Sequence, residues 1–335
     1  MKLSILWIYP ILLFFSSCEP SSKSGIDSSL VIDRSIILEM ESELTQLDQE
    51  IVFLKDQVEF LLANRDSLLK LADVNKYIFK GGLSTNTPQD SDKLSTLVIL
   101  NSTTDFEKSM ETALVTNSMD SFFKHTYEKY SIVAQVYINT VDQVSRVFPA
   151  YDVTNLLDPD LDVTNFNFFY EADLKHNPSR GPVWISEVYV DPAGRGWILS
   201  LVHPVFEQGD LLGVLGIDIT VDDLIKRYLE DLEGDFLIVN NKGDIVGGNA
   251  SAIEALSFPP LLNHVYRETI NADNFRISNF NLFNSKNNEV RMMAKAIILE
   301  KKSHYLFQDE FSPEAAYAVP FSLLDWYLIK LDIRS

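Results

Sequence analysis

The chain has 335 residues, of which 46% are hydrophobic, and it carries 48 Asp and Glu residues against 28 Lys and Arg, a formal net charge of −20. This composition predicts a folded protein long enough for two modules. The negative charge disfavours binding to nucleic acids or anionic lipid headgroups, because both depend on clustered basic residues. The single cysteine excludes an internal disulfide and a cysteine-cluster zinc site.

The N-terminus predicts export and attachment to a membrane. Residues 3–15 form an apolar run that would reach about 20 Å as a helix, too short for a bilayer core of about 30 Å. Residues 1–17 are therefore typical of a secretory signal peptide. Two serines precede Cys18, a pattern that resembles the lipobox of bacterial lipoproteins, whose cysteine is acylated. The alternative is an ordinary signal peptide followed by an incidental cysteine.

Two helical segments are predicted next, after a flexible, serine-rich tether over residues 18–32. Residues 33–76 predict a long helix with apolar residues in two heptad series, which favours a parallel coiled coil and a homodimer through residues 37–68. Phe53 and Phe60 widen the apolar stripe and favour the alternative, a helix packed on its own domain. The two series are Ile37, Leu44, Ile51, Val58 and Met40, Leu47, Leu54, Leu61, Leu68.

The rest of the chain predicts two modules, over residues 77–230 and 231–335. Each contains short segments with alternating polarity between turn residues, together with helical segments, so the fold class is α+β with two antiparallel sheets flanked by helices. In the first module, helices are expected near 105–116, 118–130 and 221–230, and strands at 132–139, 144–151, 183–190, 197–204 and 211–219. In the second module, strands are expected at 235–240, 245–248, 279–283, 291–299 and 326–332.

Several segments resemble the double Cache family of PAS-like extracytoplasmic sensors. They occur in the family's order from about residue 33 to the end of the chain. The resemblance implies that the first, membrane-distal module binds a small molecule and that the protein acts as the sensor part of a receptor. The segments are Val136–Thr140, Phe169–Ala172, Val188–Asp191, Pro204–Phe206, Gly213–Ile219, Asp235–Asp244 and Asp325–Ile329.

The resemblance also implies ligand contacts. Family members that bind amino acids use a Tyr-x-Asp segment, which falls on Tyr189 and Asp191, and the last residue of Gly-x-x-Gly-x-Asp, which falls on Asp218. They also use an aromatic pair, of which Tyr170 keeps the second member and Phe169 replaces the first.

Two family positions differ in this chain. Asn167 stands where the family has an arginine that grips the ligand carboxylate, and Asp162 stands where it has a tyrosine. Without the arginine's bidentate fork, an α-amino acid would lose its carboxylate partner.

The chemistry of the remaining residues predicts a cationic ligand. Asp191 and Asp218 accept hydrogen bonds when ionised, and the aromatic residues offer faces for cation–π contact, which together suit an amine. The alternative is structural: Asp218 would cap the following helix, Asp191 would begin a turn, and Tyr170 and Tyr189 would pack in the core.

The sequence predicts neither an enzyme nor a cofactor or metal site, because it contains no HExxH, phosphate-loop or GxSxG pattern. We therefore expect a lipid-anchored, ligand-binding protein of the cell envelope that acts through a receptor or signalling partner. The alternative is a structural or interaction lipoprotein that uses its coiled coil and has a vestigial pocket.

Overall fold

The computed structural model describes residues 23–81, 83–84, 92–191, 193–258 and 280–334. The predicted signal peptide and Cys18 lie outside these ranges. Within them, no helix is both long enough and apolar enough to cross a membrane.

The N-terminal helix differs in its bounds from the prediction of residues 33–76. Helix α1 spans Lys23–Ala63, and α2 follows at Arg65–Leu71. The helix thus begins inside the predicted flexible tether, because extending a formed helix costs little. It ends at Asn64, whose side-chain amide donates to the carbonyl of Phe60 at 2.8 Å and competes with the helical hydrogen bonds.

The heptad residues of α1 are buried against the body of the same chain. Leu44, Leu47, Ile51 and Leu54 are fully buried in a cluster that also contains residues of both sheets. The structure therefore follows the alternative of a helix packed on its own domain. A homodimer through residues 37–68 would need another face of this helix, because the predicted seam is covered.

The first module contains an antiparallel sheet of eight strands, with the order β1-β2-β3-β5-β4-β8-β7-β6. Strands β6, β7 and β8 coincide with predicted strands to within a few residues, whereas β3 was not predicted. The strands are β1 Phe79–Lys80, β2 Leu83–Ser84, β3 Thr96–Ile99, β4 Gln135–Thr140, β5 Val144–Phe148, β6 Val183–Val190, β7 Trp197–Glu207 and β8 Asp210–Thr220.

The predicted helices of this module are present. Asp105 caps the first of them by accepting from the N–H of Lys108 at 3.0 Å, and Thr220 caps the last by accepting from the N–H of Asp223 at 3.0 Å. The helices are α3 Phe106–Val115, α4 Met119–Lys129, α5 Val153–Leu156, α6 Asn167–Tyr170 and α7 Val221–Tyr228, with 3₁₀ turns at Thr116–Ser118 and Val163–Asn165.

The second module has a five-stranded antiparallel sheet with the order β10-β9-β13-β12-β11. Its described strands are β9 Asp235–Asn240, β10 Ile245–Gly248, β11 His304–Leu306, β12 Ala315–Pro320 and β13 Trp326–Asp332. Its described helices are α8 Ala250–Ala255 and α9 Asn288–Ala294, with a 3₁₀ turn at Leu282–Asn284 and a π-helical turn at Lys295–Leu299.

Two predicted strands of this module are wrong. Residues 291–299 lie in α9 and the π-helical turn, because the buried residues Val290, Met293, Ala294 and Ile297 follow the helical period and not alternation. Of residues 279–283, the described part makes one bridge, between Asn281 and Asp244, and then enters the 3₁₀ turn.

The two modules share one hydrophobic core. Helix α1, the α1 side of the first sheet and one face of the second sheet contribute to a single cluster of buried residues. A bulge in β6 joins the modules directly: the indole of Trp326 donates to the carbonyl of Ser186 at 2.8 Å, and Lys242 pairs with Glu187.

Candidate functional site

A cavity lies on the face of the first sheet that points away from α1. Strand β4 shows why the two faces differ. Val136 and Ile138 pack in the core with α1, whereas Gln135, Tyr137 and Asn139 point to the opposite face and line the cavity.

The cavity contains about 460 Å³ of space that no atom fills, part of it open to solvent. Its lining comes from strands of the first sheet, from the chain between α5 and α6, and from α6. The lining residues are Leu100, Gln135, Tyr137, Asn139, Ser145, Val147, Tyr151, Leu157, Leu161, Val163, Phe168, Tyr189, Asp191, Ala193 and Asp218.

Asp218 is fully buried and lines the cavity. Its neighbours across the sheet are Gln135 on β4 and Ser200 on β7, and both donate to its carboxylate at 2.5 Å. Because the single hydroxyl proton of Ser200 is used on Asp218, the hydroxyl of Tyr189, at 2.9 Å, must donate to Ser200. Asp218 therefore faces the cavity and does not cap α7, a role that Thr220 takes.

Asp191 lies beside Asp218, at the turn after β6. It accepts from the backbone N–H groups of Ala193 at 3.0 Å and Arg195 at 3.2 Å, so it begins a turn as the structural alternative predicts. It also lines the cavity, and Gln135 Nε2 lies 3.4 Å from its Oδ1 atom. The guanidinium of Arg195 is 3.7 Å from its Oδ2 atom.

Aromatic rings form one wall. Phe168 packs edge-on against Tyr137, with ring centres 5.6 Å apart, and lies 5.5 Å from the ring of Tyr189. Gly216 makes room for Tyr137, because an added Cβ would lie 2.0 Å from that ring's Cζ atom. A glycine at this position thus lets the tyrosine lie flat over β8.

The buried groups of this site have strongly shifted pKa values. Burial, and next the charge of Asp191, raises the pKa of Asp218 to about 7, although Gln135, Ser200 and Arg195 oppose the rise. Burial and the charge of Asp218 raise the pKa of both Tyr137 and Tyr189 well above the usual range. The tyrosines therefore stay neutral, while Asp218 exchanges its proton near neutral pH.

The structure brings together only some of the predicted site residues. Tyr189, Asp191 and Asp218 line the cavity, whereas Asn167, Phe169 and Tyr170 do not. These three belong to the four-residue helix α6, in which Phe168 is the side chain that reaches the cavity.

The other residues of α6 have different surroundings. Asn167 donates to the carbonyl of Glu187 at 3.1 Å and caps the N–H of Phe168. Phe169 is buried in the adjoining core, and the ring of Tyr170 lies 5.8 Å from that of His176. Neither member of the predicted aromatic pair thus lines the cavity, whereas Phe168, the residue before it, does. Asp162 caps the 3₁₀ turn and accepts from Gln143 at 2.8 Å.

Sequence reasoning missed several residues of the site. Gln135, Tyr137 and Asn139 alternate with apolar residues along β4, and this alternation could have identified them as one polar face. Arg195 lies between Gly194 and Gly196, which have φ values of +84° and +92°. No signal in the sequence indicated that the side chain of Arg195 lies next to Asp191.

The charged groups that line the cavity suit a positively charged ligand. No Lys, Arg or His is among the described residues that line the cavity, so the carboxylates dominate its charge. Nor do the described ranges contain a group of three His, Cys, Asp or Glu residues placed to hold a metal ion.

Comparisons with known proteins give one family and several distant structures. Residues 62–231 match the model of the Gammaproteobacterial periplasmic sensor domain family. No curated protein sequence matches the chain.

Solved structures similar to this chain include ligand-binding domains of chemoreceptors. Tlp3 of Campylobacter jejuni, in complex with L-norvaline, is 11% identical over 94% of this chain and 95% of its own, with a TM-score of 0.49. PctC of Pseudomonas aeruginosa, in complex with GABA, is 14% identical over 92% and 99%, with a TM-score of 0.47. CtaA of Pseudomonas fluorescens, in complex with L-alanine, is 15% identical over 60% and 73%, with a TM-score of 0.40.

Proposed function

The chain belongs to the family of Gammaproteobacterial periplasmic sensor domains, and we propose that it senses a small cationic amine in the cavity of its first module. The observation that carries this proposal is the pair of buried carboxylates, Asp191 and Asp218, at one end of the cavity. Arg195 lies 3.7 Å from Asp191, whereas no Lys, Arg or His of the described residues forms an ion pair with Asp218. A buried carboxylate needs a proton or a positive partner, and an amine supplies the second.

The surroundings suit an ammonium group. Gln135 and Ser200 donate to Asp218, and Tyr189 bonds Ser200 in turn. Asp218 is thus held in place, so little side-chain entropy is lost when the ligand binds. The faces of Tyr137, Phe168 and Tyr189 supply cation–π contact. An anion would meet two carboxylates and no lining cation among the described residues.

Replacing Asp218 with asparagine should weaken binding of an amine by about 30-fold or more, because losing one member of a buried charge pair costs about 2–5 kcal/mol. Titration calorimetry against a panel of amines and amino acids measures the effect. Asp210→Asn is the matched control, since Asp210 is exposed on the same strand. Tight binding of an anionic ligand that Asp218→Asn leaves unchanged would contradict both the site and the ligand class.

The proposal includes a lipid anchor and a signalling partner. The apolar run over residues 3–15 and the two serines before the only cysteine support acylation at Cys18. With its sensor module held at a membrane in this way, the protein would pass the ligand signal to a receptor or another partner protein.

Cys18→Ala should abolish incorporation of labelled fatty acid and release the protein from the membrane fraction, because no thiol remains to be acylated. Ser17→Ala is the control, since alanine keeps a small residue before the cysteine. A Cys18→Ala variant that stays with the membranes after a high-salt wash would contradict lipid anchoring.

A further inference from the structure

The cavity has polar groups at two ends of one strand. Strand β4 presents Gln135, Tyr137 and Asn139 on the same face, and all three line the cavity. Gln135 lies opposite Asp218, whereas Asn139 lies opposite Ser145 on β5. The acid pair and Asn139 therefore mark opposite ends of the site.

Asn139 is a buried polar residue that lacks a partner. Its side chain belongs to a residue only 5% exposed, and its Oδ1 atom makes no hydrogen bond to any part of the chain that the structure describes. An unpaired amide oxygen in a protein interior is unfavourable, and such groups are few in native structures. At the wall of a binding cavity, a donor on the ligand would satisfy it.

The separation of the two ends sets the length of the ligand. Positions 135 and 139 are four residues apart, about 13 Å along an extended strand. Subtracting a hydrogen bond of about 2.9 Å at each end from this distance leaves about 7 Å between the two polar groups of the ligand. A chain of about five carbons spans that distance. The cavity wall includes Val147, Leu161, Val163 and Phe168, which suit an apolar middle.

We infer that Asn139 forms a second polar subsite and that the ligand is an elongated amine whose far end carries a hydrogen-bond donor, either a hydroxyl or a second ammonium group. This inference rests on the proposed function, since it takes the acid pair as the site of the first ammonium group. It also explains how specificity for length arises: a shorter amine pairs with Asp218 but leaves Asn139 unsatisfied.

The test uses three probes of one length: pentylamine, 5-aminopentanol and 1,5-diaminopentane. Calorimetry on the wild-type protein should give dissociation constants about tenfold lower for the two bifunctional probes than for pentylamine. Asn139→Leu, which is similar in size and apolar, should remove this preference. Asp218→Asn should weaken binding of all three.

The outcomes distinguish failure of the second subsite at Asn139 from failure of the amine site on which it depends. Equal wild-type affinities for the three probes, all weakened by Asp218→Asn, would overturn the second subsite and leave the amine site standing. Tighter binding of 5-aminopentanoate than of 5-aminopentanol would overturn the assignment of Asn139 as an acceptor. If no probe binds, the amine site fails and the subsite with it. If Asn139→Leu fails to fold, the comparison of the three probes on the wild-type protein still tests for a second polar subsite.

Discussion

Replacing Asp120 with alanine should lower the free energy of unfolding by about 3–5 kcal/mol, because it leaves a buried arginine without its partner. Arg146, on β5, is fully buried and donates to Asp120 Oδ1 at 2.7 Å. Tyr77 donates to the other carboxylate oxygen, and Lys76 lies 2.7 Å from the same oxygen. Urea unfolding followed by circular dichroism measures the change.

A matched control and a double variant identify the cause. Asp92→Ala removes an exposed carboxylate that pairs with Lys124 and should change stability little. Replacing both partners, with Asp120→Leu and Arg146→Met, should be less destabilising than Asp120→Ala, because no buried charge is left unpaired. A double variant as unstable as the single one would show that lost packing, and not the unpaired guanidinium, is responsible.

The free energy of unfolding of the ligand-free protein should fall as the pH rises from about 4 to about 7, because of Asp218. Its folded pKa of about 7 lies above the pKa of 3.8 of an unburied aspartate. Between these values the folded state holds a proton that the unfolded state has released, so raising the pH favours unfolding. At 1.36 kcal/mol per pKa unit, the stability lost is about 4 kcal/mol.

Urea unfolding of wild type and Asp218→Asn at stepped pH measures this effect as a difference between the two curves. Because the asparagine cannot ionise, the free energy of unfolding of the variant should rise relative to that of the wild type by about 4 kcal/mol over this pH range. Asp210→Asn, on the exposed end of β8, should follow the wild type. Parallel curves for wild type and Asp218→Asn would contradict the raised pKa. An amine that binds the ionised form should bind more tightly at pH 8 than at pH 6.

Much of the fold followed from patterns in the sequence. Strands such as Val183–Val190 and Trp326–Asp332 were predicted with their observed bounds, because turn residues enclose segments of β-branched and aromatic residues. The family match confirms the predicted extracytoplasmic sensor domain. The error at residues 291–299 arose because a short apolar run is compatible with either a helix or a strand.

Three of the predicted site residues line the cavity, namely Tyr189, Asp191 and Asp218. All three were predicted because their segments resemble the family. Phe168 was missed in favour of Phe169, because one residue of shift in a four-residue helix changes which side chain faces the cavity. Arg195 was missed because the path of a glycine turn depends on its tertiary contacts, and these involve Gln135 and the carbonyl of Pro149.

The shared core has a consequence for the order in which the chain can fold during synthesis. Leu44 and Leu47, near the start of the chain, share one buried cluster with Trp326 and Leu328, near its end. Contacts of such long sequence separation form slowly, and they cannot form until the last strand has been made. Helix α1 also packs on β7 and β8, but the part of its packing that involves the second sheet must wait for the final strand. In a chain exported unfolded, as the predicted signal peptide implies, the two modules would complete this shared core together after export.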